Sequence, residues 1–227
     1  MKLRLVTTFV LGAALLPLHL LAASDAPVRL QAAAQAFKEV MGIPDKSIPQ
    51  DLLNKAQCVI IVPDLKKAAF VFGAKYGKGF VSCRKKGGVG WSAPGSIRIE
   101  GGSFGLQIGG SEMDVFMLVM NERGMERLLS TQFTLGGDAT AAAGPVGRST
   151  QAETDAALTA EILTWSRARG LFAGIALNGA TLREDEDWNT ELYGRAIKNR
   201  EIVTGTVAAP KAAATLLSEL DRYSSRK

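Results

Sequence analysis

Leu30, Ala33, Ala34, Phe37, Val40 and Met41 recur at helical spacing, after Asp25 and Pro27 and before Gly42. That stripe predicts an amphipathic helix over residues 27–41. Its polar face carries Arg29, Lys38 and Glu39, little positive charge for a helix lying on a membrane. The stripe therefore reads as packing on the domain's own sheet, with a membrane-surface role as the other reading. Ser47 is placed to cap a second short helix around 49–55. The period then changes. Residues 58–62, CVIIV, read as a buried strand ended by Pro63 and Asp64. Residues 68–74 and 79–84 read as a hairpin turning through 75–78, with further strands near 90–92, 96–100, 104–108 and 114–120. Asn121 is a helix cap before Met125, Leu128 and Leu129. Strands over 159–167 and 171–177 follow, joined at Arg169 and Gly170, then helices over 187–193 and 211–223. The last of these has Ala214, Leu216, Leu217 and Leu220 as its apolar face.

Between Gly73 and Gly147 lie seventeen of the 24 glycines, set among short β-branched and aromatic runs. Glycine weakens a strand interior, so repeated glycines there mark bends, bulges or close backbone approach. The pattern predicts one α+β domain, a strongly curved antiparallel sheet of glycine-rich strands packed against a few helices. The small-residue run from Gly136 to Gly147 reads either as close internal packing or as a floor for an acyl chain.

The ends change the picture. Lys2 and Arg4, an apolar stretch from Val6 to Leu21 and small residues at Ala22 and Ala23 predict a cleaved export signal over 1–23. A folded domain over 27–222 and a loose C-terminus over 223–227 would follow. Without Lys2 and Arg4 the formal charge falls from +5 to +3, only mildly basic, and no nucleic-acid partner is indicated. The single histidine, His19, lies in the leader, so the remaining chain offers no Ser-His-Asp or Cys-His set and no histidine metal site. No cofactor or metal is expected. Cys58 and Cys83 are the two cysteines, and an exported chain favours a disulfide between them over two buried thiols. A bridge across 25 residues contributes about 3 kcal/mol in the chain-entropy picture.

The order IIVPDLKKAAFVFGAKYGKGFVSCR, WSAP, GGSFGLQIGG, DVFMLVMNERGMERLL, GGDATAAAGPVGR, WSRARGLFAGIALNGATL and ELYG resembles the SYLF domain. This lipid-binding module is also called the Ysc-type actin-binding domain in eukaryotic endocytic adaptors. The resemblance runs over about residues 30–220. It implies a single α+β domain that binds anionic phospholipids without catalytic activity. Actin binding belongs to the cytoplasmic eukaryotic relatives and does not simply follow for an exported chain.

Candidate chemistry is sparse. Gly101-Gly-Ser-Phe-Gly105 matches the G-x-S-x-G elbow, with Ser103 as nucleophile, but its flanks read as strands and a base is missing. A glycine-rich hairpin turn is the preferred account. Asp185-Glu-Asp187-Trp-Asn189 imitates the first half of a calcium loop, yet Thr190 and Ala196 occupy the glycine and glutamate positions. A solvated acidic helix start is the simpler reading. Gly88-Val-Gly90-Trp-Ser-Ala93 precedes a proline rather than opening a helix, so it is no dinucleotide fingerprint.

The cations carry more. A hairpin over 68–84 would bring Lys66 and Lys67 beside Arg84, Lys85 and Lys86, with Lys75 and Lys78 at its other end. Each cation near an anionic surface contributes about 1 kcal/mol, so the set suits phosphate head groups. Plain solvated loop charge is the alternative. The expectation is an exported, periplasmic or extracellular, peripherally membrane-associated domain that binds anionic phospholipid. A purely structural envelope module and a serine hydrolase using Ser103 are the rivals, and homo-oligomerisation is left open.

Overall fold

A computed structural model describes residues 25–69, 72–104, 109–147 and 159–224. The expected leader over 1–23, the strand over 104–108 for its last four residues, and the last three residues lie outside the described residues. Helices α1 (Asp25–Met41) and α2 (Gln50–Lys55) come first. Strands β1 (Cys58–Ala69), β2 (Phe72–Cys83), β3 (Gly95–Phe104) and β4 (Gly109–Val119) then form the centre of the sheet. Helix α3 (Glu122–Leu128) leads to β5 (Gln132–Thr134) and β6 (Ala141–Ala143). Strands β7 (Ile162–Ala168), β8 (Leu171–Gly174) and β9 (Thr181–Glu184) follow. Helices α4 (Glu186–Tyr193), α5 (Asn199–Thr204) and α6 (Ala214–Ser224) close the chain.

The strands form one strongly curled sheet in the order β5-β9-β3-β2-β1-β4-β7-β6, with β8 paired to β7. The α+β architecture matches the expectation. It is a mixed sheet rather than a purely antiparallel one, because β6 runs parallel to β7.

The apolar run at the start of β1 is explained by burial on both faces. Val59 and Ile61 join the helix-covered core with Phe37, Phe80, Phe116 and Trp165. Cys58, Ile60 and Val62 point the other way, into a second core with Val81, Ile97, Val115 and Leu182. Side chains alternate along a strand, so one continuous apolar run feeds two cores. Helix α1 buries the predicted stripe, and its Phe37 meets Tyr223 of α6 edge-on with ring centres 6.0 Å apart. The stripe is therefore core.

Five local readings need correction. The strand that was expected to end at Pro63 and Asp64 continues to Ala69 through a bulge, with Asp64 at φ 50°. The bulge presses β1 onto β2. A Cβ on Gly77 would stand 3.1 Å from Leu65 Cα, and one on Gly79 would collide with Ile61 O and Val62 Cα. These glycines allow close approach within β2 and do not make a turn. Residues 75–78 are therefore strand, and β1 and β2 stay paired as far as Ala69 opposite Gly73. Gly101 to Phe104 likewise continue β3 rather than forming a turn. Pro49, not Ser47, stands at the cap of α2, with no side-chain cap bond. Helix α6 runs through Tyr223 and Ser224, and Ser224 is buried, so the chain is still folded there.

Cys58 and Cys83 are register partners on β1 and β2 and form a disulfide. Asn121 caps α3, its side chain accepting from Gly124 N at 2.8 Å.

Candidate functional site

The β1–β2 register redistributes the seven cations. Lys66 lies opposite Tyr76, and Lys67 lies opposite Lys75. Arg84, Lys85 and Lys86 follow the far end of β2, where Cys83 meets Cys58. The predicted five-cation crowd does not assemble, because Lys66 and Lys67 lie toward the Ala69–Gly73 end of the ladder and Arg84 to Lys86 beyond its Cys58–Cys83 end.

Two of the seven serve the fold. Lys78 Nζ stands 2.8 Å from the buried Asp185 carboxylate and 4.5 Å from the Trp188 ring centre. Arg84 is buried, its guanidinium carbon 3.8 Å from the Trp91 ring centre. It donates to Leu53 O at 3.1 Å and to the Ser224 carbonyl and hydroxyl. Arg84 thereby pins α6 to α2. Both cations are held by partners within the fold, Arg84 buried and Lys78 partly so.

Lys85 and Lys86 are exposed on a tight turn. Gly87, Gly88 and Gly90 take φ values of 95°, 81° and 73°, left-handed backbone that glycine adopts without strain. Gly88 N donates to Lys85 O at 2.8 Å and closes the turn. The turn borders a cavity of about 880 Å³ with an apolar wall from Ala93, Met125, Val203 and Val207. Cations at the rim over an apolar wall match an amphipathic ligand. The wall was invisible in the sequence, because Met125 and Val203 come from α3 and α5, distant elements with no shared motif.

Lys66 is exposed and reaches Glu112, its register partner on β4, at 3.8 Å. Lys67 and Lys75 are half-buried and face one another, flanked along the row by Ser111 and Gly101. Burial first, and the Lys67 charge second, pull the Lys75 ammonium below its ordinary pKa of 10.5. No carboxylate among the described residues forms an ion pair with either.

The remaining motifs resolve into structure. Ser103 lies within β3 opposite Gly73, so residues 101–104 make no strand-to-helix turn, and Gly105 lies outside the described residues. Asp185 caps α4, accepting from Trp188 N at 3.1 Å, while its other oxygen faces Lys78. Asn189 points inward, accepting from Ser96 N at 2.8 Å and donating to Asn199 Oδ1 at 2.8 Å. Asn199 Nδ2 closes the ring on Ser96 O at 2.9 Å. Asp185 and Asn189 thus form a buried anchor for the WSAPGS loop, while Glu186 and Asp187 are exposed in the first turn of α4, as an acidic helix start places them. Among the described residues no helix is long and apolar enough to cross a membrane.

The family model for Ysc84, described as a Las17-binding protein actin regulator, matches residues 100–223. The frog Xenopus laevis has an SH3 domain-containing YSC84-like protein 1 that is 35% identical over 201 residues, 86% of this chain. The chain belongs to the Ysc84, or SYLF, family. Protein YSC84 of Saccharomyces cerevisiae is 34% identical over 181 residues, 78% of this chain. An SH3 domain-containing protein of Schizosaccharomyces pombe is 35% identical over 178 residues, 77% of this chain. The chain spans 59%, 38% and 41% of those three relatives' lengths. The Ysc84 match runs from the middle of β3 into α6, which includes the WSAPGS anchor's partners Asn189 and Asn199 and the wall residues Met125, Val203 and Val207.

Proposed function

We propose that this Ysc84-family chain is a non-catalytic module that binds anionic phospholipid at a membrane surface, outside the cytosol. The cavity beside Lys85 and Lys86 carries the reading. Its rim offers two solvated ammonium groups to a phosphate, and Met125, Val203 and Val207 offer an apolar wall to the first part of an acyl chain. The stiff frame around it includes the Cys58–Cys83 disulfide, and Cys83 itself lines the cavity. The leader-like residues 1–23 support an exported location. The family's description as an actin regulator favours a second reading in which the domain binds a protein rather than a lipid.

Flotation with vesicles of graded anionic content, at low and high salt, tests the lipid reading. Two cations at about 1 kcal/mol each correspond to roughly 30-fold in affinity, so Lys85→Glu with Lys86→Glu should weaken binding at least that much. Vesicle binding that ignores both the charge reversal and the salt would overturn the reading. Co-sedimentation with filamentous actin but not with vesicles would favour the second one.

A further inference from the structure

Lys67 and Lys75 pose a separate problem. Directly opposed like charges destabilise a strand pair, yet the register sets these two side chains against each other on one face of the β1–β2 ladder. The rest of the row cannot compensate, because it holds Gly101 and Ser111. Neighbouring cations are treated differently. Lys66 has Glu112, Lys78 has Asp185, and Arg98 and Arg183 share Glu100. Uncompensated among the described residues, the pair is half-buried, and the turn at Gly179 and Ala180 walls it on one side. A Cβ on Gly101 would stand 3.1 Å from Ala180 Cα and 3.2 Å from Gly179 O. Gly101 and Ser111 thus flank the two facing lysines along the row.

We propose that Lys67 and Lys75 form a seat for a doubly charged phosphate monoester, its oxygens shared between the two ammonium groups. A phosphomonoester carries roughly one and a half to two negative charges at neutral pH, which two lysines neutralise. A phosphodiester carries one and leaves the repulsion half relieved. A bound anion also offsets what holds the Lys75 ammonium down, because its charge works against both the desolvation and the repulsion from Lys67. The source is either a lipid head group ending in a monoester or a free phosphate compound.

This seat is distinct from the Lys85–Lys86 cavity. The two sit at opposite ends of β2, where Lys75 and Cys83 are about 27 Å apart along the strand at the usual rise. The two readings therefore fail independently.

Thermal melts and calorimetry with inorganic phosphate test the seat on the wild-type chain, Lys75→Gln and Lys67→Gln. Phosphate is expected to raise the wild-type melting temperature. Each variant is expected to melt higher than wild type without phosphate, because the repulsion is gone, and to bind phosphate about fivefold or more weakly. The Lys85→Glu, Lys86→Glu chain is expected to keep the full phosphate response. A wild-type chain that ignores phosphate, or a response equal in wild type and Lys75→Gln, overturns the proposal. The source is assigned by vesicles containing phosphatidic acid against vesicles of equal charge made with phosphatidylglycerol. Loss of the phosphatidic acid preference in Lys75→Gln supports a lipid head group. Flotation unchanged by Lys75→Gln, with phosphate binding lost, supports a soluble phosphomonoester at the same seat.

Discussion

Lys78 Nζ lies 2.8 Å from Asp185 Oδ2, joining the middle of β2 to the cap of α4. Asp185 is 1% exposed and the Lys78 side chain 23%, so the pair is largely out of water. The Trp188 ring sits under the ammonium and stacks on Phe80 with centres 5.7 Å apart. Breaking such a pair from one side leaves an uncompensated buried charge, which costs about 3–5 kcal/mol.

Lys78→Met should therefore lose about that much stability in a urea titration. Adding Asp185→Asn to the same chain should recover much of the loss, since the stranded charge goes with it. If Lys78→Met unfolds at the wild-type denaturant midpoint, the ammonium contributes to something other than the fold.

A second ionic junction sets acid sensitivity. Arg167 on β7 bonds Glu39 of α1, and its Nη2 lies 2.6 Å from Asp114 Oδ2 on β4. The Arg167 bond first, and a Gln35 bond second, hold the Glu39 carboxyl below its ordinary pKa of 4.5. A carboxyl depressed in the fold stabilises above the unfolded value and loses that contribution as pH falls through the folded one. The wild-type chain should thus be more stable than Glu39→Gln near pH 6, with the gap closing below the ordinary value of 4.5. Melting temperatures of both chains across that range check it. A constant gap would remove Glu39 ionisation from the account.

How much of this was legible follows from where each partner sits. The α1 stripe, the β1 apolar run, the Asn121 cap and the Arg169–Gly170 turn depend on neighbours in sequence, and each was readable. Gly77 looked like a turn residue and Gly79 like the start of a new strand, because the bulge that crowds them belongs to another strand. The same reason hid the fate of two cations. Arg84 finds Ser224 across 140 residues, and Lys78 finds an aspartate that the sequence offered to calcium. Lys85 and Lys86 were legible as exposed charge, since a glycine-rich turn leaves them nowhere else to go. The Lys67–Lys75 opposition required the register, which moves if the turn is misplaced by a few residues.

The small-residue run before Gly147 resolves as close packing at Gly144. A Cβ there would enter the Trp165 indole, and the Gly144 carbonyl lies where a Cβ on Gly174 would stand. Trp165 is fully buried and donates from Nε1 to Pro145 O at 2.8 Å, so the ring cannot swing away without losing that bond. Gly144→Ala should then show an overpacking cost of about 1–3 kcal/mol. Gly137→Ala is the matched control in the same run, because its Cβ would meet Thr134 at an ordinary 3.7 Å. That variant should unfold within about 0.5 kcal/mol of wild type, as open sites do. Near-ultraviolet circular dichroism should register a changed tryptophan environment in Gly144→Ala alone. Equal stabilities for the two variants would mean that Trp165 has room to move, and the tight floor under it would have to be given up.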